Sequence, residues 1–138
     1  MKIWISRLLV SAVFAVNLYC IIVFICYPQD FIRAYELSGV PGIAALQGLG
    51  VAFLMWNVTY PLVIVQPQKQ RVVFAIVLVQ QTVGLIGETV ILLNLADGYR
   101  LLASNILRFI VFDAAGLVLL AVAFLLSRKT AQKTRTLE

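Results

Sequence analysis

Four long apolar runs fill most of this chain, and Glu88, Arg108 and Asp113 are embedded in the last two. Each run reaches the length of about 20 residues that crosses the hydrocarbon core of a bilayer. A charged side chain near the bilayer centre costs about 2.5–3.5 kcal/mol on translocon scales unless it finds a partner or water. A polytopic membrane protein with a polar spot inside it is therefore expected. Composition agrees: of 138 residues, 62% are hydrophobic and 12% charged, against about 25% charged in soluble domains. Four spans and short connections use the whole length, so residues 1–138 are expected to form one membrane domain without a separate soluble catalytic unit.

The net charge is +5, and its distribution sets an orientation. Lys2 and Arg7 open the first span, and Lys69 and Arg71 lie between the second and third. Arg128, Lys129, Lys133 and Arg135 follow the fourth. The other two connections carry only Arg33 and Arg100, each accompanied by acids. The positive-inside bias then predicts that both termini and the middle turn are cytoplasmic. The basic tail, residues 127–138, suits a stop-transfer flank or a contact with anionic lipid. A nucleic-acid partner is not expected.

A secretory signal is not expected at the N-terminus, because the first apolar run exceeds a signal's h-region and no A-x-A site closes it. Cys20 and Cys26, six residues apart on one helix, point about 120° away from each other. They cannot bridge without unwinding it, and both read as small apolar residues.

The spans are predicted at about residues 4–27, 43–65, 72–95 and 102–126. Pro28 ends the first. In the following loop Phe31, Ile32, Tyr35 and Leu37 alternate with Asp30, Arg33 and Glu36, as in a short amphipathic turn on the outer surface. Gly39, Pro41 and Gly42 are expected to break the chain before the second span. Pro61 should kink that span near its cytoplasmic end. The short turn at residues 66–70 makes the second and third spans antiparallel neighbours.

In lipid an apolar face needs no burial, so small and polar residues mark the inward faces. On the third span these are Gln80, Gly84, Glu88 and Ile91, with Gln81 and Gly87 beside them. On the second they are Gln47, Gly50, Leu54, Asn57 and Pro61. Asn17 is the strongly polar side chain of the first span, and Asn105 and Gly116 share a face of the fourth, flanked by Arg108 and Asp113. At about 1.5 Å per residue, Glu88 and Arg108 lie roughly 10 Å inside the outer surface, and Asn17 and Asp113 about 15 Å. Glu88, Arg108, Asp113, Asn17 and Gln47 are thus candidates for a polar interior site open to a ligand or proton. A Glu88–Arg108 ion pair is its first expected contact. Asn57, Gln80 and Gln81 form a second polar seam. The plainer alternative is that all of these only fasten helices together. Trp56, Asn57, Thr59 and Tyr60 read as packing and interfacial anchoring.

With no histidine in the chain, haem and most metal sites lack their usual ligand. No Ser–His or Cys–His nucleophile can form, and no phosphate-binding glycine loop is present. Neither catalytic residues nor a cofactor or metal are expected. Small multidrug transporters have four spans and similar length but carry their key glutamate in the first, where this chain has Asn17.

Pro28-x-x-Phe31, Leu37-x-Gly39-x-Pro41-Gly42 and Leu46-Gln47-Gly48-Leu49-Gly50 resemble the DoxX-like group of small four-span bacterial membrane proteins. The likeness covers the first loop and the adjoining span ends, and the four-span layout extends it. It implies an all-α, four-helix transmembrane bundle. Some relatives are implied to be subunits of a thiosulfate:quinone oxidoreductase, but no catalytic residue carries over. The expected function is a non-enzymatic inner- or plasma-membrane protein, either an accessory subunit or a bundle binding lipid or a small molecule. A subunit of a quinone-linked oxidoreductase and an ion-coupled transporter are the alternatives. Partners would be the bilayer and a larger complex or second copies of the chain.

Overall fold

The computed structural model describes residues 2–135, with side chains described as far as Ser127. Among these residues every regular element is helical, and four helical stretches are long and apolar enough to cross a membrane. The first span is α1 (Lys2–Cys26), and a one-turn α2 (Pro28–Phe31) and a 3-10 turn (Ile32–Tyr35) follow it. The second consists of α3 (Gly39–Asn57) and α4 (Tyr60–Val65). The third is α5 (Arg71–Leu93), and the fourth is α6 (Arg100–Arg135), whose apolar part ends at Ser127. The side chains of the basic tail beyond Ser127 lie outside the described residues.

Proline chemistry explains the two-part second span. Pro61 has no N–H for the carbonyl of Asn57, and its ring crowds that carbonyl. The helix therefore stops at Asn57 and restarts at Tyr60 with Pro61 in its first turn. Asn57 Nδ2 donates to the Phe53 carbonyl (2.8 Å) and Thr59 Oγ1 to that of Trp56 (3.1 Å), serving acceptors beside the break. The break expected over Gly39, Pro41 and Gly42 is confined to Gly39, whose φ is +63°, while Pro41 and Gly42 already belong to the first turn of α3. Proline is tolerated there, where its missing N–H has no intrahelical partner. Gly42 lets the incoming loop lie close: a Cβ would stand 3.0 Å from that of Leu37.

The four spans are packed on three sides and parted on the fourth. α1 lies against α3, α4 and α6, and α5 against α6 and α4, whereas α3 and α5 scarcely approach each other. Gly50 sets the crossing of the first and second spans. A Cβ on it would meet Ile25 Cγ1 at 2.8 Å and Phe24 Cβ at 3.0 Å.

The end carrying both termini is close-packed around Val10, Val13, Val63, Phe74, Val77, Leu120 and Ala123. Buried Ser6 donates to the Ala123 carbonyl (2.9 Å). Arg7 Nη2 donates to the Val65 carbonyl at the end of α4 (2.6 Å), where the helix dipole favours a cation. At the opposite end the loop is fastened across the bundle. Asn105 Nδ2 donates to the Ala34 carbonyl (2.7 Å), and Glu36 accepts from the Leu102 N–H in the first turn of α6 (3.4 Å). Phe24, 3% exposed, touches the rings of Phe31, Tyr35, Phe53 and Phe109 at centroid distances of 5.7–6.1 Å.

Candidate functional site

The parted side of the bundle is a cleft of about 480 Å³ between the second and third spans. Its walls are Leu49, Phe53 and Trp56 of α3 and Val83, Gly87 and Ile91 of α5. Phe109 and Phe112 of α6 form its back, Tyr35 lies toward the loop end, and Tyr60 toward the termini end. Below the cleft α4 touches α5, whereas α3, on the other side of the Pro61 break, scarcely approaches it.

A short polar chain crosses its base. Tyr60 Oη donates to Gln81 Oε1 (3.3 Å), and Gln81 Nε2 donates to Asp113 Oδ1 (2.9 Å) and to the Asp113 carbonyl (3.3 Å). Two glycines make room for it. A Cβ on Gly84 would lie 2.7 Å from Asp113 Oδ2, and one on Gly116 would lie 2.9 Å from Gln81 Nε2. Each helix thus yields space to the other's polar side chain. Beside this chain Asn17 Nδ2 donates to Asn57 Oδ1 (2.9 Å), joining the first and second spans.

Further along the cleft the polar groups are unpartnered. Glu88 stands one helical turn beyond Gly84, and its buried Oε2 has no hydrogen-bond partner. The same holds for the buried Tyr35 Oη and Gln80 Oε1. Burial raises the pKa of the Tyr35 phenol, which keeps its proton as a donor. Buried polar atoms are nearly always bonded to protein, water or ligand, and these three have no protein partner.

The expected residues divide clearly. Glu88, Asp113 and Asn17 line the cleft, and so do Asn57, Gln80 and Gln81 of the expected second seam; the two sets are one surface. Gln47 is elsewhere: it is exposed, and its Nε2 donates to the Ile25 carbonyl (3.1 Å). Arg108 also departs from expectation. It is exposed beside a smaller groove of about 300 Å³ between the first and fourth spans, and it makes no ion pair with Glu88 or Asp113. Five residues on a helix turn a side chain by about 140°, so a face that brings Asp113 to α5 carries Arg108 away from it.

The stripes shift too. The buried positions of α3 are Gly42, Leu46, Gly50 and Asn57, while Leu54 and Pro61 are exposed. On α5 the small and polar stripe divides: Gln81 is buried and Gly84 meets Asp113, whereas a Cβ on Gly87 would meet nothing within 4 Å. Trp56 and Tyr60 line the cleft, and Tyr60 also packs in the core, stacked on Phe14, in keeping with its reading from sequence. Tyr35 and Phe109 had no polar signal to mark them. Among the described residues no three His, Cys, Asp or Glu side chains converge as metal ligands.

Comparison with protein-family models, with curated proteins and with solved structures finds no match to this chain.

Proposed function

We propose that this is a membrane-embedded binding protein, non-enzymatic in itself, that admits a small amphipathic molecule sideways from the bilayer. One observation carries this: the cleft is apolar along its walls and holds unpartnered polar atoms inside. A volume of about 480 Å³ lies within the range of roughly 300–1,000 Å³ typical of small-molecule sites. The head would sit among Glu88, Gln81 and Asp113, with the tail along Phe53, Val83 and Ile91. An entrance between two spans needs no water-filled path, because the tail stays among acyl chains throughout.

The test is to fill the space. Val83→Trp places a ring on a cleft wall that is 57% exposed, so folding should be unaffected. Amphiphiles retained by the purified protein, counted by mass spectrometry, should fall to background in this variant. Retention equal to the parent protein would defeat the proposal.

The positive-inside bias supports an orientation with both termini and residues 66–70 in the cytoplasm of a cell bounded by this membrane. The cleft would then open toward the outer leaflet. Kinship with the DoxX-like group is proposed on the motifs between Pro28 and Gly50 alone. A quinone-linked subunit is the second reading, favoured by the aromatic rings around a free phenol donor at Tyr35.

A further inference from the structure

The charge in the cleft is one-sided. Its lining includes the carboxyl groups of Glu88 and Asp113 but no lysine or arginine, and Arg108 faces the other groove. Glu88 Oε2 is buried and unpartnered, and Asp113 is bonded by Gln81 through Oδ1, with Oδ2 turned to the space above Gly84. A carboxyl group taken out of water gives up its proton at little cost only where a counter-charge is supplied, and among the described residues no lysine or arginine lines this cleft. Around the same space stand Tyr35, Phe53, Trp56 and Phe109, whose π faces attract cations. Open space beside Gly87 leaves room for a bulky group next to Glu88.

We propose that the occupant of the cleft is an amphiphile with a cationic head, an alkylammonium or quaternary ammonium compound. The head lies between Glu88 and Asp113 against the aromatic rings, and the alkyl tail leaves between the second and third spans. This deepens the binding function proposed above and rests on it. An anionic head would meet two acids, whereas a cationic head supplies the counter-charge that lets them ionise.

The chain has two tryptophans, and Trp56 alone of them lines the cleft, so Trp4→Phe makes its fluorescence a local reporter. In nanodiscs of zwitterionic lipid this protein is titrated with dodecyltrimethylammonium, dodecanol and dodecyl sulfate, which share one tail. The cation should bind at least ~10-fold more tightly than the alcohol, a factor that desolvated charge pairing and cation–π contact readily supply. The sulfate should bind worst. Glu88→Gln keeps the side chain's shape and breaks no hydrogen bond of Oε2, so it should fold and should abolish the preference for the cation over the alcohol. Asp113→Asn, which can still bond Gln81, gives an independent second variant. Equal binding of alcohol and cation, unaltered by Glu88→Gln, would overturn the charge selectivity but leave the cleft as a binding site. Tightest binding of the sulfate would overturn it also. No binding of any probe would overturn both proposals.

Discussion

The seam between the first and second spans and the gap between the second and third are built from similar residues to opposite ends. Both are lined by glycine and aromatic side chains. At Gly50 the absent Cβ is filled by Ile25 and Phe24, so the helices touch; at Gly87 the same absence leaves open space. In lipid there is no hydrophobic force to close such a gap, because acyl chains solvate it as well as leucine does. What holds spans together is packing and interhelical hydrogen bonds, and where neither forms the bundle stays parted. The contrast teaches that a small-residue stripe in a membrane helix can mark a contact or the floor of a site, depending on what stands opposite.

The largest effect should separate these two glycines directly. Gly50→Leu would drive a side chain into Ile25 and the α1 backbone, where the Ile25 nitrogen lies 3.4 Å from the position of a Cβ. A loss of about 3 kcal/mol is expected, at the upper end for overpacking, seen as a much lower unfolding temperature in detergent. Gly87→Leu should leave that temperature within a degree or two while displacing bound amphiphile. If both variants unfold alike, the gap is a closed seam in solution.

Next comes the polar chain at the base of the cleft. Gln81→Leu removes the bonds to Tyr60 and Asp113 and leaves a carboxyl without its partner. About 1.5 kcal/mol should be lost, because orphaning a buried polar group costs more than the bond itself is worth. A smaller cost is expected for Asn17→Leu, about 0.6 kcal/mol, the average for an interhelical bond within a membrane. A double-mutant cycle with Asn57→Leu would report whether the 2.9 Å contact is the source. Additive losses would show that it is not.

Four apolar helices were legible from hydropathy, because about 20 apolar residues have few other uses. The Pro61 break was legible too, since a missing N–H acts locally. The rotation of each helix about its axis was not. Gly50 and Asn57 of the expected stripe are buried, but Gln47, Leu54 and Pro61 are exposed, because the close approach of Gly42 to the loop and of Gly50 to α1 sets the rotation of α3. Gln47 tolerates this because its amide finds the Ile25 carbonyl at the surface. The aromatic part of the site was hidden for a related reason. Phe53 and Phe109 look identical in sequence whether they face lipid, a core or a ligand.

Arg108 is where the smallest effect on folding carries the most information. Sequence placed it opposite Glu88, on the ground that a guanidinium in hydrocarbon must meet an acid. The structure turns it to the bundle surface, where it has another way out. It lies two turns from the start of α6, and its long side chain can reach back toward the interface, keeping its head in the polar layer while its stem covers apolar surface. On this account Arg108→Met should change stability by less than about 0.5 kcal/mol, as expected for a surface position. It should also leave cation binding in the cleft unchanged. A pair with Glu88 would behave differently: removing one partner of a buried pair strands the other and costs about 3–5 kcal/mol. The sign of the binding change separates the cases as well. Were Arg108 a counter-charge to the cleft, its loss would tighten the hold on dodecyltrimethylammonium, whereas a surface arginine leaves it as it was.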